Sequence, residues 1–145
     1  MNKIKVKLLH PDARVPTYAT DGSGAFDFYA IDSHRVLPSS TTVVPLGLAL
    51  AIPQDYVLLL FSRSGHGFKH DLRLSNCVGV IDSDYRGEIK AKIKSDKTSA
   101  EYTYYFLPGD AIVQGIVLYA PRREFEVVDE LDETERGDGG FGSTG

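Results

Sequence analysis

The chain has 145 residues, of which 42% are hydrophobic and 25% are charged, as expected for one soluble globular domain with its own core. The formal net charge of -4 at pH 7 argues against nucleic-acid binding as the main function. No apolar run approaches membrane-spanning length, and the first residues lack the apolar core of a secretory signal. We therefore expect a cytoplasmic protein, in the host-cell cytoplasm if the source is a virus, that binds neither nucleic acid nor membrane.

The first part of the chain predicts two strands. Residues 3–8 alternate lysines with apolar residues, which is typical of a strand with one buried face. A stretch of small residues at 19–25 leads to an aromatic strand at 26–30, where Asp27 lies between two phenylalanines. This carboxylate is either on the exposed face of an alternating strand or buried with a partner, and periodicity alone favours the exposed position.

Further strand-like runs occupy residues 36–37, 41–44, 46–52 and 56–61. We expect their core positions to be Val43, Val44, Leu48, Leu50, Val57, Leu59 and Phe61.

The segment at 61–69 differs from these strands because it is rich in serine, glycine and charge. Ser64 and Gly65 could begin a short helical turn, and Arg63 beside them is suited to an anion. A structural loop is the alternative. A nucleophilic triad of Ser64, His66 and Asp82 has weak support, since no Gly-x-Ser-x-Gly elbow surrounds the serine.

Residues 76–93 contain the densest group of chemically active side chains. Strand-like runs at 77–81 and 88–93 flank a turn at 82–87, which predicts a hairpin. The turn carries Asp82, Asp84, Tyr85 and an arginine, although a solvated turn with a self-capping aspartate would also fit. The single cysteine, Cys77, is expected to pack as a small hydrophobe.

The remaining strands are predicted at 102–106, 111–119 and 125–128. Gln114 lies within the long apolar strand, as either a structural cross-link or a ligand-facing group. No segment has a convincing helical stripe, so the fold class is all-β: a sandwich, jelly roll or barrel. The four histidines, at 10, 34, 66 and 70, lack metal-ligand spacing and are expected on the surface or in turns.

Five of the last nine residues are glycine, which predicts a mobile tail over 136–145. A disordered end is the simpler interpretation. The tail also offers a cation, an aromatic ring and two hydroxyls, which are the groups a closing lid over a phosphorylated base would use.

Five segments resemble, in order, the five motifs of the homotrimeric dUTPase family. They are ATDGSGAFDFYA at 19–30, RSG at 63–65, the 76–87 segment containing GVIDSDYRG, GDAIVQ at 109–114 and RGDGGFGSTG at 136–145. The resemblance implies a distorted jelly-roll β-barrel over residues 1–135, closed by the mobile tail at 136–145. It also implies a homotrimer whose three active sites each draw on all three chains.

The same resemblance implies an enzyme that hydrolyses dUTP to dUMP and diphosphate by water attack on the α-phosphorus. Asp82 would be the general base, a role that needs a carboxylate within hydrogen-bond reach of the water. Asp27 and Asp84 would be supporting residues, so the resemblance reverses the exposed placement of Asp27. Mg2+ would be held through phosphates and water.

The substrate-binding positions implied by the resemblance fall into three groups. Uracil would meet Asn76, Gly79, Val80 and Ile81, while Tyr85 would pack against deoxyribose. The triphosphate would be held by Arg63, Ser64, Gly65, Gln114, Arg136, Ser143 and Thr144. Phe141, followed by Gly142, would stack on the base. The chain departs from the family at His66, where an apolar residue usually follows Ser-Gly.

Two other functions remain open at the level of sequence. One is dCTP deamination on a related fold, against which the 82–87 turn and the complete tail argue. The other is a nucleotide-switched regulatory protein with a protein partner, whose surface would leave no motif.

Overall fold

The computed structural model describes residues 3–142, which form twelve strands and one short helix. The elements are β1 (Lys5–Leu8), β2 (Thr17–Tyr18), β3 (Phe26–Tyr29), β4 (His34–Val36), β5 (Thr41–Pro45), β6 (Leu48–Ala51), β7 (Tyr56–Ser62), α1 (Ser64–His70), β8 (Leu72–Leu74), β9 (Val78–Ile81), β10 (Lys90–Ser95), β11 (Tyr104–Phe106) and β12 (Ala111–Tyr119). The predicted all-β class is confirmed, and of the two alternatives at Ser64, a helical turn or a structural loop, the structure has the helical turn, α1. Within residues 3–142, no helix is long and apolar enough to cross a membrane.

A five-stranded antiparallel sheet in the order β2-β3-β12-β7-β9 is the largest layer. Its central strand, β12, has the bounds predicted from its apolar run, because nine residues between two turn signals leave little ambiguity. Three smaller sheets, β1-β6, β5-β10-β8 and β4-β11, cover the rest of one hydrophobic core. Ile4 and Val6 pack against this core, as alternation in the first strand predicted.

The predicted core is partly correct. Val44, Leu48 and Leu50 are buried, whereas Val43 is 50% exposed. In β7 the predicted face is wrong, because Leu58 and Leu60 are buried and the predicted Val57, Leu59 and Phe61 are half-buried on the opposite face. Every residue from 57 to 61 is apolar, so periodicity could not distinguish the faces of this strand.

The hairpin predicted around the 82–87 turn is wrong. β9 pairs with β7, and β10 pairs with β5 and β8. The turn therefore connects strands of two different sheets, which are not paired with each other. The alternating lysines of β10 correctly indicated one wet face, but alternation carries no information about which strand is the neighbour.

Two other predictions also fail. Cys77 is exposed at a φ of 63° in the turn between β8 and β9, where its amide donates to the Leu74 carbonyl at 3.2 Å. The strand predicted at 125–128 is not formed, and Phe125 and Val127 are 98% and 99% exposed. An isolated extended segment has no partner for its backbone groups, which explains why this sequence alone does not make a strand here.

Candidate active site

Three of the chemically active segments meet at one end of the five-stranded sheet. β12 lies between β3 and β7, so Gln114 is opposite Asp27 on one side and Phe61 on the other. Arg63 follows β7 directly and is the N-cap residue of α1. The pairing thus brings the first, second and fourth segments together from distant parts of the sequence.

Asp27 and Arg63 form a two-point ion pair. The Arg63 Nε atom donates to Asp27 Oδ1 at 2.9 Å, and Nη2 donates to Oδ2 at 3.3 Å. The Asp27 side chain is 16% exposed and that of Arg63 is 34% exposed. Asp27 is therefore largely buried with a partner, and not on the exposed strand face that periodicity alone favours. Arg63 remains accessible enough to bind an anion.

Gln114 is a structural cross-link in this chain. Its Nε2 atom donates to the Ser62 carbonyl at 2.9 Å, and the Ser62 hydroxyl accepts from the Leu74 amide at 2.8 Å. These bonds tie β12, β7 and β8 together just before Arg63. A contact between Gln114 and a phosphate stays a prediction.

Helix α1 presents Ser64 and Gly65, both exposed, in its first turn and ends at His70, and its C-cap residue, Asp71, has a left-handed φ of 51°. His66 of the same helix packs its ring edge-on against Phe106 and Tyr104, at centroid distances of 5.1 and 5.9 Å. Its placement corrects the expectation that the histidines are surface or turn residues, as does that of His34 in β4. The sequence signal for His66 was its departure from the apolar residue usual at this position.

Burial, followed by the nearby Arg63 cation, lowers the pKa of His66 below its usual value. The Ile112 backbone and Asp110 act in the opposite direction, and His70 adds to the lowering. The ring is therefore neutral at pH 7.

The 82–87 turn holds its carboxylates in solvent, and two hydrogen bonds of Tyr85 stabilise its backbone. The Tyr85 amide donates to the Asp82 carbonyl at 3.2 Å, and the Tyr85 hydroxyl donates to the Glu88 carbonyl at 3.1 Å. A Cβ at Gly87 would lie 2.6 Å from Tyr85 Cζ, so the ring position requires glycine there. Asp82 and Asp84 are both exposed on this turn.

β9 is one of the two edge strands of the five-stranded sheet. Gly79 lets it lie close to β7, since a Cβ at this position would be 3.1 Å from Leu60 Cβ. Val80 is 60% exposed, and Asn76 is exposed in the turn before the strand. Among residues 3–142, β9 has a strand neighbour on one edge only, so backbone donors and acceptors on its other edge are available to a ligand.

Asp82 and Arg63 lie at opposite ends of β7. Ile81 is paired with Leu58, and Arg63 lies five positions beyond Leu58 in the direction away from Asp82. At about 3.3 Å per residue, the two backbone positions are on the order of 20 Å apart along the sheet. One chain therefore does not bring the carboxylate turn and the Asp27–Arg63 pair into a single site.

The tail is described as far as Gly142. The Arg136 Nε atom donates to the Gly139 carbonyl at 2.9 Å, and the Phe141 side chain is fully exposed. Ser143 and Thr144 lie outside the described residues. Within residues 3–142, no group of three or more His, Cys, Asp or Glu side chains is placed to hold a metal ion.

Comparison with known proteins supports the resemblance seen in the motifs. The dUTPase family profile matches residues 11–145. The chain is 41% identical over 145 residues to the deoxyuridine 5'-triphosphate nucleotidohydrolase of Helicobacter pylori strain 26695, covering 99% of this chain and 97% of the relative. It is 42% identical over 147 residues to the protein of the same name from Wolinella succinogenes, covering 100% and 97%.

Solved structures share the fold. The dUTPase of Staphylococcus bacteriophage 80alpha with dUPNHPP superposes with a TM-score of 0.92 at 28% identity, over 100% of this chain and 99% of the other. A dUTPase from phage phi11 of S. aureus, described with a structural Mg(II) ion, gives 0.83 at 25% identity over 89% and 98%. The predicted distorted jelly-roll barrel is thus confirmed, and the chain belongs to the dUTPase family.

Proposed function

We propose that this protein hydrolyses dUTP to dUMP and diphosphate, which limits uracil incorporation into DNA and supplies dUMP for dTTP synthesis. Membership of the dUTPase family carries the proposal, together with relatives that are named for this hydrolysis at about 40% identity over nearly the whole chain. The local geometry adds a base-binding edge and an exposed carboxylate next to one another, on β9 and the turn that follows it.

Uracil is recognised by the free edge of β9. A strand edge alternates N–H donors and C=O acceptors, and the uracil edge carries an N–H between two carbonyls. Cytosine has a different donor pattern, so it would leave backbone groups of β9 without hydrogen-bond partners. Such unpaired groups make a site discriminate strongly against the wrong base. Tyr85, held by Glu88 at 3.1 Å, packs against deoxyribose and leaves no room for a 2′-hydroxyl.

Asp82 acts as the general base. Its carboxylate is exposed on a turn that the Tyr85 amide stabilises, so a water can lie between it and an α-phosphorus held alongside β9. The leaving diphosphate carries dispersed charge and requires several fixed donors, for which Arg63, Ser64 and Gln114 are the candidates. Mg2+ bound with dUTP would neutralise phosphate charge and would be held through phosphate oxygens and water.

The donors for the triphosphate come from a second copy of the chain, in a homotrimer. The separation of about 20 Å between Arg63 and Asp82 along the sheet supports this, because a triphosphate cannot bridge it. Exposed apolar side chains support it too. Phe125 and Val127 are fully exposed, and Val80 and Leu118, both on the five-stranded sheet, are 60% and 45% exposed.

Residues 136–145 close over the bound nucleotide. The fully exposed Phe141 has the aromatic face that stacking on uracil requires, and Arg136 brings a cation toward the phosphates. Hydroxyls at Ser143 and Thr144 complete this proposed set.

Diphosphate release from dUTP with magnesium, measured beside dCTP, dTTP and UTP, tests the reaction. Release from dUTP alone would support both the chemistry and the base and sugar selection assigned to β9 and Tyr85. Tight dUTP binding without release would contradict the hydrolysis, and deaminated product from dCTP would replace it with another reaction.

Complementation tests the shared site. Arg63→Gln and Asp82→Asn chains should each be inactive as pure proteins. When they are mixed, unfolded and refolded together in equal amounts, about a quarter of the sites should combine an intact Asp82 with an intact Arg63 from a neighbour. Recovery of about a quarter of wild-type turnover supports the homotrimer with shared sites, while no recovery would place both residues in one chain.

A further inference from the structure

His66 takes no part in the mechanism above, yet its ring lies at the back of the Arg63 turn. It is half-buried and packs edge-on to Phe106, at a centroid distance of 5.1 Å and an interplanar angle of 80°. Together with Arg63 and Ile112 it lines a packed space that has no room for a water molecule. The ring thus joins α1 to β11 and β12.

The backbone of His66 is hydrogen-bonded to that of Arg63. The amides of His66 and Gly67 both donate to the Arg63 carbonyl, at 3.1 and 3.2 Å, and so fix the turn from which the guanidinium reaches Asp27. A displacement of the His66 ring therefore shifts this turn and the direction of the Arg63 side chain.

We propose that neutral His66 is a positioning residue for Arg63, and that protonation of His66 loosens the first turn of α1 and weakens dUTP binding at acid pH. This rests on the proposed function, because it assigns Arg63 to the triphosphate. Protonation would place a positive charge on the His66 ring, and the packed space that the ring lines has no room for water to hydrate this charge. The charged ring would also lie beside the guanidinium of Arg63.

The surrounding groups oppose a charged ring. Arg63, the N-cap residue of α1, and His70, the last residue of α1, both lie near the His66 ring. Arg73 of β8 borders the same packed space. Tyr104 of β11 is a neutral neighbour, whereas the backbone of Ile112 and the carboxylate of Asp110, before β12, favour the proton. Burial and Arg63 outweigh these two groups and lower the pKa of His66, which places the transition below pH 6.5.

The test compares the pH dependence of KM and kcat for dUTP in three proteins: wild type, His66→Leu and His70→Gln. Leucine keeps an apolar contact with Phe106 without a titratable group, and His70→Gln removes the other histidine that packs on Tyr104. As the pH falls through the pKa of His66, the wild-type KM should rise by up to about tenfold per pH unit, the limit for a protonated form that binds no dUTP, and kcat should change little. His66→Leu should lack this rise and His70→Gln should keep it, whereas protonation of dUTP itself affects all three equally.

Wild-type protein provides a second measurement if His66→Leu does not fold. The His66 ring protons, followed by NMR, should titrate with the same midpoint as the rise in KM. Four results would overturn the inference: a rise retained in His66→Leu, a rise lost in His70→Gln, a KM that falls on acidification, or a ring that titrates well away from the KM midpoint. Turnover of dUTP by wild type at pH 8 tests the proposed function separately, because His66 is neutral there.

Discussion

Replacing Asp27 with asparagine tests whether the ion pair with Arg63 both stabilises the fold and orients the candidate site. Asparagine keeps one acceptor for Arg63 Nε, at the 2.9 Å bond, but directs an NH2 group at Nη2, where the 3.3 Å bond was. Because the Asp27 side chain is only 16% exposed, water replaces the lost partner poorly. Hydrogen bonds to charged groups contribute about 1.5–3 kcal/mol, so we expect the free energy of unfolding to fall by about 2 kcal/mol.

For a chain of this length, that loss corresponds to a fall in Tm of roughly 6 °C. Thermal unfolding should be followed at one fixed protein concentration, since subunit dissociation makes Tm concentration-dependent. KM for dUTP, measured in parallel, should rise as Arg63 loses its orientation.

Asp96→Asn is the matched control. Asp96 accepts the same pair of bonds from Arg73, at 2.7 and 3.3 Å, but the two side chains are 43% and 38% exposed. Exposed pairs contribute little, so this variant should lose less stability and keep its KM. The reasoning would be refuted by equal losses in the two variants, or by an unchanged KM in Asp27→Asn.

Four further outcomes are expected. Asp82→Asn should abolish diphosphate release while calorimetry still detects dUTP binding, and retained turnover would remove Asp82 from the mechanism. Truncation after Glu135 should reduce turnover far more than Tm, because Phe141 is fully exposed, and a large fall in Tm would contradict this. Gly115→Ala should cost ~1–3 kcal/mol in denaturant unfolding, since its Cβ would lie 2.8 Å from Phe28 Cε2, whereas Gly24→Ala, with open space around it, should not. The pKa of His66 is lowered in the folded state, so the unfolded chain binds the proton first. Unfolding measured across pH should therefore show stability present above pH 6.5 and lost as pH falls through the folded pKa, and His66→Leu should lack that contribution.

Local pattern was sufficient where one element determined its own structure. The bounds of β12 followed from a long, mainly apolar run between turn signals. At Ser64 the residue types indicated that the strand ends, but they left a helical turn and a structural loop both open, and the structure has the helical turn. Pattern was insufficient for Asp27, because its burial depends on Arg63, 36 positions later. Only the motif resemblance pointed to that outcome before the structure did.

The errors share a physical cause, which is that strand pairing is decided at long range. Residues 77–81 and 88–93 are both strand-like, yet β9 pairs with β7, and β10 pairs with β5 and β8 in another sheet. The first of these runs begins with Cys77 in the sequence pattern, although the chain reverses between β8 and β9 at this residue. That reversal puts Cys77 at a φ of 63° and in solvent.

The unformed strand at 125–128 and the separation of Asp82 from Arg63 both support the proposal that a second copy of the chain completes the structure. Phe125 and Val127 alternate with glutamates as a strand with one apolar face would, yet the face is bare. Likewise Asp82 and Arg63 are both suited to one reaction, yet β7 holds them at its opposite ends. In an isolated chain, neither the exposed apolar face nor the separation of Asp82 from Arg63 contributes to stability or to a complete site. The proposed homotrimer accounts for both features, because a neighbouring copy would supply a partner strand for residues 125–128 and phosphate donors for the site of Asp82.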